Sequence, residues 1–211
     1  MKQVEGWFLP DDDTHFGAYL ESLKRTGRPI EYQPDQKEHA YAHCTSFRTA
    51  LDIGAHVGLW ARGMTDKFSR VVAFEPYKPY IPLLVKNAPK VEVRDHALGV
   101  ARSTTGLTIP EGNTGAAYIS GDGDMDVIPL DELGPWDDID FIKIDCEGYE
   151  LPVLQGAVET LTKNSPTIIV EQKPHPHFAD KWGRYDALYF LESLGYRVHM
   201  RVIDDWILRK L

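Results

Sequence analysis

Cysteine and long hydrophobic runs are both scarce in this sequence of 211 residues. Its two cysteines, Cys44 and Cys146, are too few and too far apart for a disulfide framework or a cysteine-rich zinc site, so we expect a reducing, cytoplasmic setting. The N-terminal stretch MKQVEGWFLPDDD lacks the apolar core of a signal peptide, and no stretch approaches the roughly 20 apolar residues of a membrane span. We therefore expect no membrane partner.

Positive charge is also in deficit. The sequence holds 23 Lys and Arg against 32 Asp and Glu, for a net charge of -9. A nucleic-acid backbone is held by clustered Lys and Arg, so we expect no nucleic-acid partner. Hydrophobic residues make up 43% and charged residues 26% of the chain, as in ordinary globular proteins. At this length we expect a single domain over residues 1–211.

Short apolar runs alternate with amphipathic segments after an irregular, polar N-terminal stretch, which is typical of βα units around a mainly parallel sheet. Helical spacing of apolar residues recurs at 57–68, 151–161 and 187–194, and Gly195 follows the last of these where a left-handed cap is expected. Seven strands are predicted, at Thr49–Ile53, Arg70–Glu75, Val91–Asp95, Asp140–Asp145, Thr167–Glu171, Tyr196–Val202 and Trp206–Leu211.

The last two strands flank Asp204-Asp205, a spacing that predicts a tight antiparallel hairpin and hence a reversed C-terminal strand. Segment 107–119 contains Gly112-Asn113-Thr114-Gly115 between two β-prone runs and is expected to leave the main sheet. The fold class is therefore α/β: a Rossmann-like, doubly wound, mixed seven-strand sheet. Residues 48–211 are expected to form its core, and residues 1–47 a segment that covers an acceptor pocket.

The run Asp52-Ile53-Gly54-Ala55-His56-Val57-Gly58 is a D-x-G-x-x-x-G turn between a strand and a helix. Glycines there let a ligand approach the carboxyl edge of a parallel sheet. A carboxylate at the mouth of the turn would repel a pyrophosphate, which prefers bare N–H groups. The ammonium of S-adenosylmethionine suits Asp52 better, and this cofactor has no phosphate.

Further cofactor contacts are predicted at the ends of the next two strands. Glu75, followed by Pro76, stands where a carboxylate can accept hydrogen bonds from both ribose hydroxyls. Asp95, His96 and Ala97 are expected to border the adenine, with Asp95 accepting from its exocyclic amine.

Candidate catalytic residues follow the fourth and fifth strands. Asp145, Glu147, Glu171 and His175 could each take a proton from an acceptor hydroxyl, and the sequence alone does not rank them. A divalent ion held by some of these carboxylates is an alternative way to acidify the hydroxyl, although no metal site is predicted.

Six runs in the order ALDIGAHVG, VVAFEP, DHALG, VIPLDEL, IDFIKIDCEGYELPVLQGA and TIIVE, between Thr49 and Glu171, resemble the FkbM-type methyltransferases. The block from Lys143 to Ala157 and the F-E-P run are the most specific. The resemblance implies a class I methyltransferase fold and O-methylation of a sugar, polyketide or related small molecule. It also implies that Asp52, Gly54, Gly58, Glu75 and Asp145 face the cofactor, whereas His56 stands where the family often has Asn.

The expected function is S-adenosylmethionine-dependent methylation, at an oxygen of a small-molecule or glycan acceptor, by a monomer or a homodimer. Two alternatives stay open. A nicotinamide-dependent oxidoreductase would share the glycine-rich turn and the ribose carboxylate, but it needs a G-x-G-x-x-G spacing that this turn lacks. A non-catalytic module that binds S-adenosylmethionine would keep the cofactor cleft without turnover.

Overall fold

A computed structural model describes residues 1–210 of the chain. The helices are α1 His15–Arg25, α2 Pro34–Tyr41, α3 Ala61–Met64, α4 Ile81–Asn87, α5 Glu150–Gln155, α6 Val158–Asn164 and α7 Asp186–Ser193. The strands are β1 Lys2–Val4, β2 Trp7–Leu9, β3 Thr49–Ile53, β4 Arg70–Phe74, β5 Glu92–Arg94, β6 Ala97–Leu98, β7 Ser103–Thr105, β8 Leu107–Thr108, β9 Tyr118–Ile119, β10 Met125–Ile128, β11 Ile139–Ile144, β12 Thr167–Glu171, β13 Tyr196–Val202 and β14 Asp205–Lys210.

The central sheet has seven strands in the order β13-β14-β12-β11-β3-β4-β5. Strands β5, β4, β3, β11 and β12 pair in parallel, and β14 runs antiparallel to both of its neighbours. The mixed sheet and the reversed last strand are thus confirmed. That strand lies between β12 and β13 rather than at the sheet edge, so β13 forms the edge.

Both faces of the sheet are covered, because the side chains of each strand alternate between them. Leu51 and Ile53 of β3 pack on one face in a cluster with residues of α5, α6 and α7. Ala50 of β3 and Phe141 of β11 pack on the other face with residues of α2, α3 and α4. This arrangement confirms the doubly wound α/β class.

Strand bounds agree with the sequence to within one residue, but the helices are shorter than their apolar spacing suggests. Only Ala61–Met64 of the predicted 57–68 helix is helical, with turns on both sides. The 151–161 helix is broken at Gly156-Ala157 into α5 and α6. Gly195 has φ of +91°, which confirms the predicted left-handed cap. Leu211, the last residue of the final predicted strand, lies outside the described residues.

Two smaller predictions are settled by the strand pairing. Segment 107–119 forms a separate hairpin of β8 and β9 outside the main sheet, as predicted. The C-terminal hairpin is also present, but its turn is Ile203-Asp204 because Asp205 already pairs with Val202.

The N-terminal 47 residues are ordered, and the expectation of an irregular stretch is wrong. They form the β1-β2 hairpin, α1 and α2. Phe16, Leu20 and Leu23 are buried on one side of α1, a helical spacing that is visible in the sequence. Helix α2 packs against the sheet through Ala40 and Tyr41, so this part of the segment belongs to the core.

Within residues 1–210, no helix is long and apolar enough to cross a lipid bilayer.

Candidate functional site

The carboxyl ends of β3, β4, β11 and β12 meet at one edge of the sheet, and the loops that follow them surround two adjacent cavities. We call the first the glycine-loop cavity; its wall includes Gly54, His56, Glu75 and Tyr80. We call the second the carboxylate cavity, because Asp145, Glu147 and Glu171 line it together with Phe16 and Tyr32. Gly54, His56, Gly115, Asp145 and Glu147 line both cavities and form what we call the shared wall.

Gly54 is required by a close approach of two loops. Its φ is +78°, and a Cβ added there would lie 1.9 Å from the carbonyl oxygen of Asp145. Its N–H and that of Ala55 both donate to the carbonyl of Phe74 at 3.1 Å. The turn after β3 is therefore fixed against both neighbouring strand ends.

Two residues of the shared wall that carry side chains also adopt a left-handed backbone. His56 has φ of +50° and Glu147 has φ of +51°. Such conformations are uncommon for residues other than glycine and are unfavourable by roughly 1–2 kcal/mol each. They place a side chain, and not a bare glycine, at a position where the two cavities meet.

Glu75 organises the glycine-loop cavity. Its two carboxylate oxygens accept hydrogen bonds from the backbone N–H groups of His56 and Tyr77, each at 2.8 Å. Burial raises the pKa of Glu75 to about 7, against the opposing effect of these two bonds. Each oxygen keeps a second lone pair that a ligand hydroxyl can use.

Most of the predicted cofactor contacts lie in the wall of the glycine-loop cavity. They are Gly54, His56, Glu75, Pro76, His96, Ala97 and Asp145. The other four lie elsewhere. Ala55 lines the carboxylate cavity, Gly58 is buried beside Leu84 and Ala88, and Asp95 is exposed, with its side chain outside both walls.

Asp52 is the fourth of these residues. Its carboxylate is completely buried, without a hydrogen-bond partner among residues 1–210, in contrast to the expected position at the mouth of the turn. The Lys143 ammonium lies 3.6 Å from it. Neighbouring residues of a strand point to opposite faces of the sheet. Ile53 packs in the cluster with α5, α6 and α7, so the Asp52 side chain lies on the other face. Its role as a direct cofactor contact stays a prediction, and this geometry does not support it.

Lys143 has no role predicted from the sequence, and the structure places its ammonium between the carboxylates of Asp52 and Asp145. Its Nζ donates to the carbonyl of Gly54 at 3.1 Å and lies 3.5 Å from Asp145. Burial lowers the pKa of Lys143, but the carboxylates of Asp145 and Asp52 outweigh this effect and raise it above its usual value. A charged residue at an inward position of a central strand is the sequence signal that marks it.

The carboxylate cavity contains a compact acidic cluster. Oxygens of Asp145, Glu147 and Glu171 lie within 4.8 Å of one another, so three of the four candidate catalytic residues come together, and their catalytic role stays a prediction. Lys173 contacts Glu171 at 2.7 Å and Glu147 at 2.9 Å. Burial, followed by repulsion from Asp145, raises the pKa of both Glu147 and Glu171.

A divalent cation could use these oxygens, since hard cations prefer carboxylate ligands. The Lys173 ammonium already supplies positive charge at the same place, and the pKa of Lys173 is raised by the carboxylates around it despite the opposing effect of burial. The cluster can therefore hold its charge, and share a proton, without a metal. No role for Lys173 is predicted from the sequence, because its position two residues after β12 does not indicate that its side chain contacts the carboxylates.

His175 lies apart from the acidic cluster. Its ring packs on Tyr118 with centroids 4.7 Å apart, and it lines a third cavity with Phe178 and Trp182. It contributes to neither of the two cavities that share a wall. A role for His175 as the base stays untested, and its position does not favour it.

The chain is similar to known methyltransferases. Residues 52–198 match the model of the methyltransferase FkbM domain. The fold resembles that of the FkbM methyltransferase from Methylobacillus flagellatus, with 18% identity, 96% of this chain covered and a TM-score of 0.50. The chain spans 55% of that protein's length.

Two further structures have the same fold. The O-methyltransferase from Bacillus cereus, in complex with SAH, has 15% identity, 96% and 92% of the two chains covered, and a TM-score of 0.52. A methyltransferase from Geobacter sulfurreducens has 13% identity, coverages of 96% and 90%, and a TM-score of 0.53. No curated protein shows significant sequence similarity to this chain. At identities this low, the solved structures show only the shared fold. The family model matches residues 52–198, which is most of the sequence, and the chain therefore belongs to the FkbM methyltransferase domain family.

Proposed function

We propose that the protein transfers the methyl group of S-adenosylmethionine to a hydroxyl of a sugar or another small molecule. The observation that carries this proposal is the pair of cavities with a shared wall. A donor in one cavity and an acceptor in the other would meet beside Asp145 and Glu147. Methyl transfer is an in-line displacement, so this placement of the two reactants provides much of the rate acceleration.

The glycine-loop cavity suits the cofactor. Glu75 offers free lone pairs to the ribose hydroxyls, and His96, Ala97 and Leu98 give it a partly apolar side against which an adenine ring can pack. The methionine end would then lie toward Asp145 and Gly54, where the two loops touch.

The carboxylate cavity suits a polyhydroxyl acceptor. Its walls combine the acidic cluster with the rings of Phe16, Tyr32 and Trp60. Carboxylates accept hydrogen bonds from hydroxyl groups, and aromatic rings offer flat apolar faces. Phe16 and Tyr32 come from the N-terminal segment, which is consistent with the proposal that residues 1–47 cover the acceptor.

The reaction needs one proton acceptor. As the acceptor oxygen forms its bond to the methyl carbon, the carbon–sulfur bond breaks, its electron pair stays on sulfur, and the hydroxyl proton must leave. We assign this proton to the Glu147 and Glu171 pair, because both line the acceptor side and their raised pKa values favour proton uptake.

Transfer of a labelled methyl group to a panel of monosaccharides, glycosides and phenols tests the function directly. Glu171→Gln should abolish most of the transfer while leaving SAH binding intact. Asp137→Asn changes an exposed carboxylate in the loop before β11 and should leave both transfer and SAH binding unchanged. Label on an acceptor nitrogen or carbon, with none on oxygen, would contradict the proposed reaction.

Two rival functions are separated by melting temperature and turnover. Stabilisation by NAD or NADP with none by S-adenosylmethionine would favour an oxidoreductase, since a ligand that binds only the folded state raises its melting temperature. Stabilisation by S-adenosylmethionine without transfer to any acceptor in a cell extract would favour a binding module.

A further inference from the structure

A buried chain of hydrogen bonds joins the N-terminal segment to the shared wall. Asp13 is completely buried. Its carboxylate accepts hydrogen bonds from the Phe16 N–H at 2.8 Å, and from the Thr114 hydroxyl and N–H at 2.7 and 3.2 Å. The same Thr114 hydroxyl oxygen lies 3.0 Å from Nε2 of His56.

The proton positions in this chain follow from its chemistry. An ionised carboxylate can only accept, so the single hydroxyl proton of Thr114 must point to Asp13. The hydroxyl oxygen is then an acceptor toward His56, and Nε2 of that ring must carry the proton. The opposite tautomer would leave two acceptors facing each other, either at Nε2 or between the Thr114 hydroxyl oxygen and the Asp13 carboxylate.

The other ring nitrogen of His56, Nδ1, is then left without a proton. Nδ1 of His56 is buried and has no hydrogen-bond partner within the described chain, and the ring lines both cavities. With Nε2 protonated, Nδ1 is a neutral acceptor. Burial lowers the pKa of this imidazole to about 4, so the ring stays neutral near neutral pH. A buried acceptor without a partner is unfavourable, and a bound ligand with a donor group would relieve this cost.

We propose that Asp13 and Thr114 are positioning residues that hold His56 in the Nε2–H tautomer, so that Nδ1 accepts a hydrogen bond from an O–H or N–H group of the bound cofactor. The N-terminal segment thereby takes part in cofactor binding without touching the cofactor. The ligand part of this inference rests on the proposed function, whereas the tautomer does not.

Packing supports a direct connection between these segments. The Phe16 ring lies against Gly115, where an added Cβ would be 2.4 Å from it, and it packs on His56 with centroids 5.3 Å apart. The Tyr80 hydroxyl donates to the carbonyl of Thr114 at 3.3 Å. The loop that carries Thr114 is therefore held on both sides, and its hydroxyl has little freedom to turn away from His56.

Long-range ¹H–¹⁵N correlation spectra of the histidine rings test the tautomer, with His56→Asn used to assign the signals. We expect a neutral Nε2–H pattern in the unchanged protein. Thr114→Val should abolish the fixed tautomer, and Thr114→Ser should preserve it. Thr108→Val, which removes an exposed hydroxyl of the same hairpin, serves as a matched control. An Nδ1–H pattern, or an unaltered pattern in Thr114→Val, would overturn the proposal that Asp13 and Thr114 fix the tautomer of His56.

Calorimetric titration with SAH, 5′-methylthioadenosine and adenosine tests the ligand contact. Thr114→Val should weaken SAH binding by about tenfold, the equivalent of one hydrogen bond, and Thr114→Ser should restore it. A loss seen with SAH but not with the other two ligands assigns the donor to the ammonium, and an equal loss with all three assigns it to the nucleoside. Unchanged binding in Thr114→Val beside tight binding to the unchanged protein refutes the contact, whereas no SAH binding at all refutes the proposed cofactor and leaves the spectroscopic result standing.

Discussion

Replacement of Lys143 by methionine should strongly destabilise the fold. Methionine has a similar length but no charge, so the variant leaves the completely buried carboxylate of Asp52 without the ammonium that lies 3.6 Å away. Removal of one member of a buried ion pair is unfavourable by about 3–5 kcal/mol. For a chain of this size, each kcal/mol lowers the melting temperature by roughly 2–4 °C, so we expect a decrease of roughly 6–20 °C.

A double-mutant cycle separates the charge from the packing. Asp52→Asn with Lys143→Met replaces the ion pair by neutral groups of similar shape, so it should recover more than half of the stability lost in Lys143→Met alone. Lys163→Met, at an exposed ion pair with Asp137, is the control and should melt like the unchanged protein. Scanning calorimetry of the unchanged protein, Asp52→Asn, Lys143→Met and the double variant gives the four values of the cycle. Additive effects, or a loss below about 1 kcal/mol for Lys143→Met, would refute the reasoning.

Three further outcomes are expected. Burial raises the pKa of Glu75, Glu150 and Asp205 to about 7, so between about pH 4 and pH 7 the folded state binds protons that the unfolded chain has lost. The stability that these protons provide is complete below the pKa values of the unfolded chain, near 4, and is lost as the pH rises through about 7. The melting temperature should therefore be lower at about pH 8 than at about pH 5.5, and a flat profile would show that these groups are hydrated. Gly54→Ala should prevent cofactor binding, since the new methyl group would overlap a carbonyl oxygen 1.9 Å away; tight SAH binding by that variant would mean that the two loops separate easily. Methyl transfer should survive EDTA, because the Lys173 ammonium already supplies positive charge to the acidic cluster, and full activity that returns only with Mg²⁺ would show otherwise.

The strands were predictable from the sequence because most are short apolar runs bounded by polar residues or glycine, whereas β5 and β13 alternate apolar and polar residues. The helices were predicted too long, since apolar spacing continues through turns such as the one at Gly156-Ala157, where the backbone leaves the helix while its side chains stay buried. The helical spacing of Phe16, Leu20 and Leu23 is present in the N-terminal segment, although the segment as a whole is polar.

The convergence of Asp145, Glu147 and Glu171 was also predictable, because parallel strands deliver their carboxyl ends to one edge. The depth of Asp52 was not, since it depends on which face of the sheet its side chain takes and on the Lys143 ammonium beside it. Contacts between distant segments, such as Asp13 with Thr114, leave no local signal in a single sequence.

The left-handed residues of the shared wall set a limit on engineering. Glycine at His56 or Glu147 would relax the backbone, so a screen for heat tolerance alone would favour such replacements. Each would remove a side chain from the place where donor and acceptor are proposed to meet. Selection for thermal stability alone would thus tend to lower the activity, and useful variants should come from screens that require turnover as well.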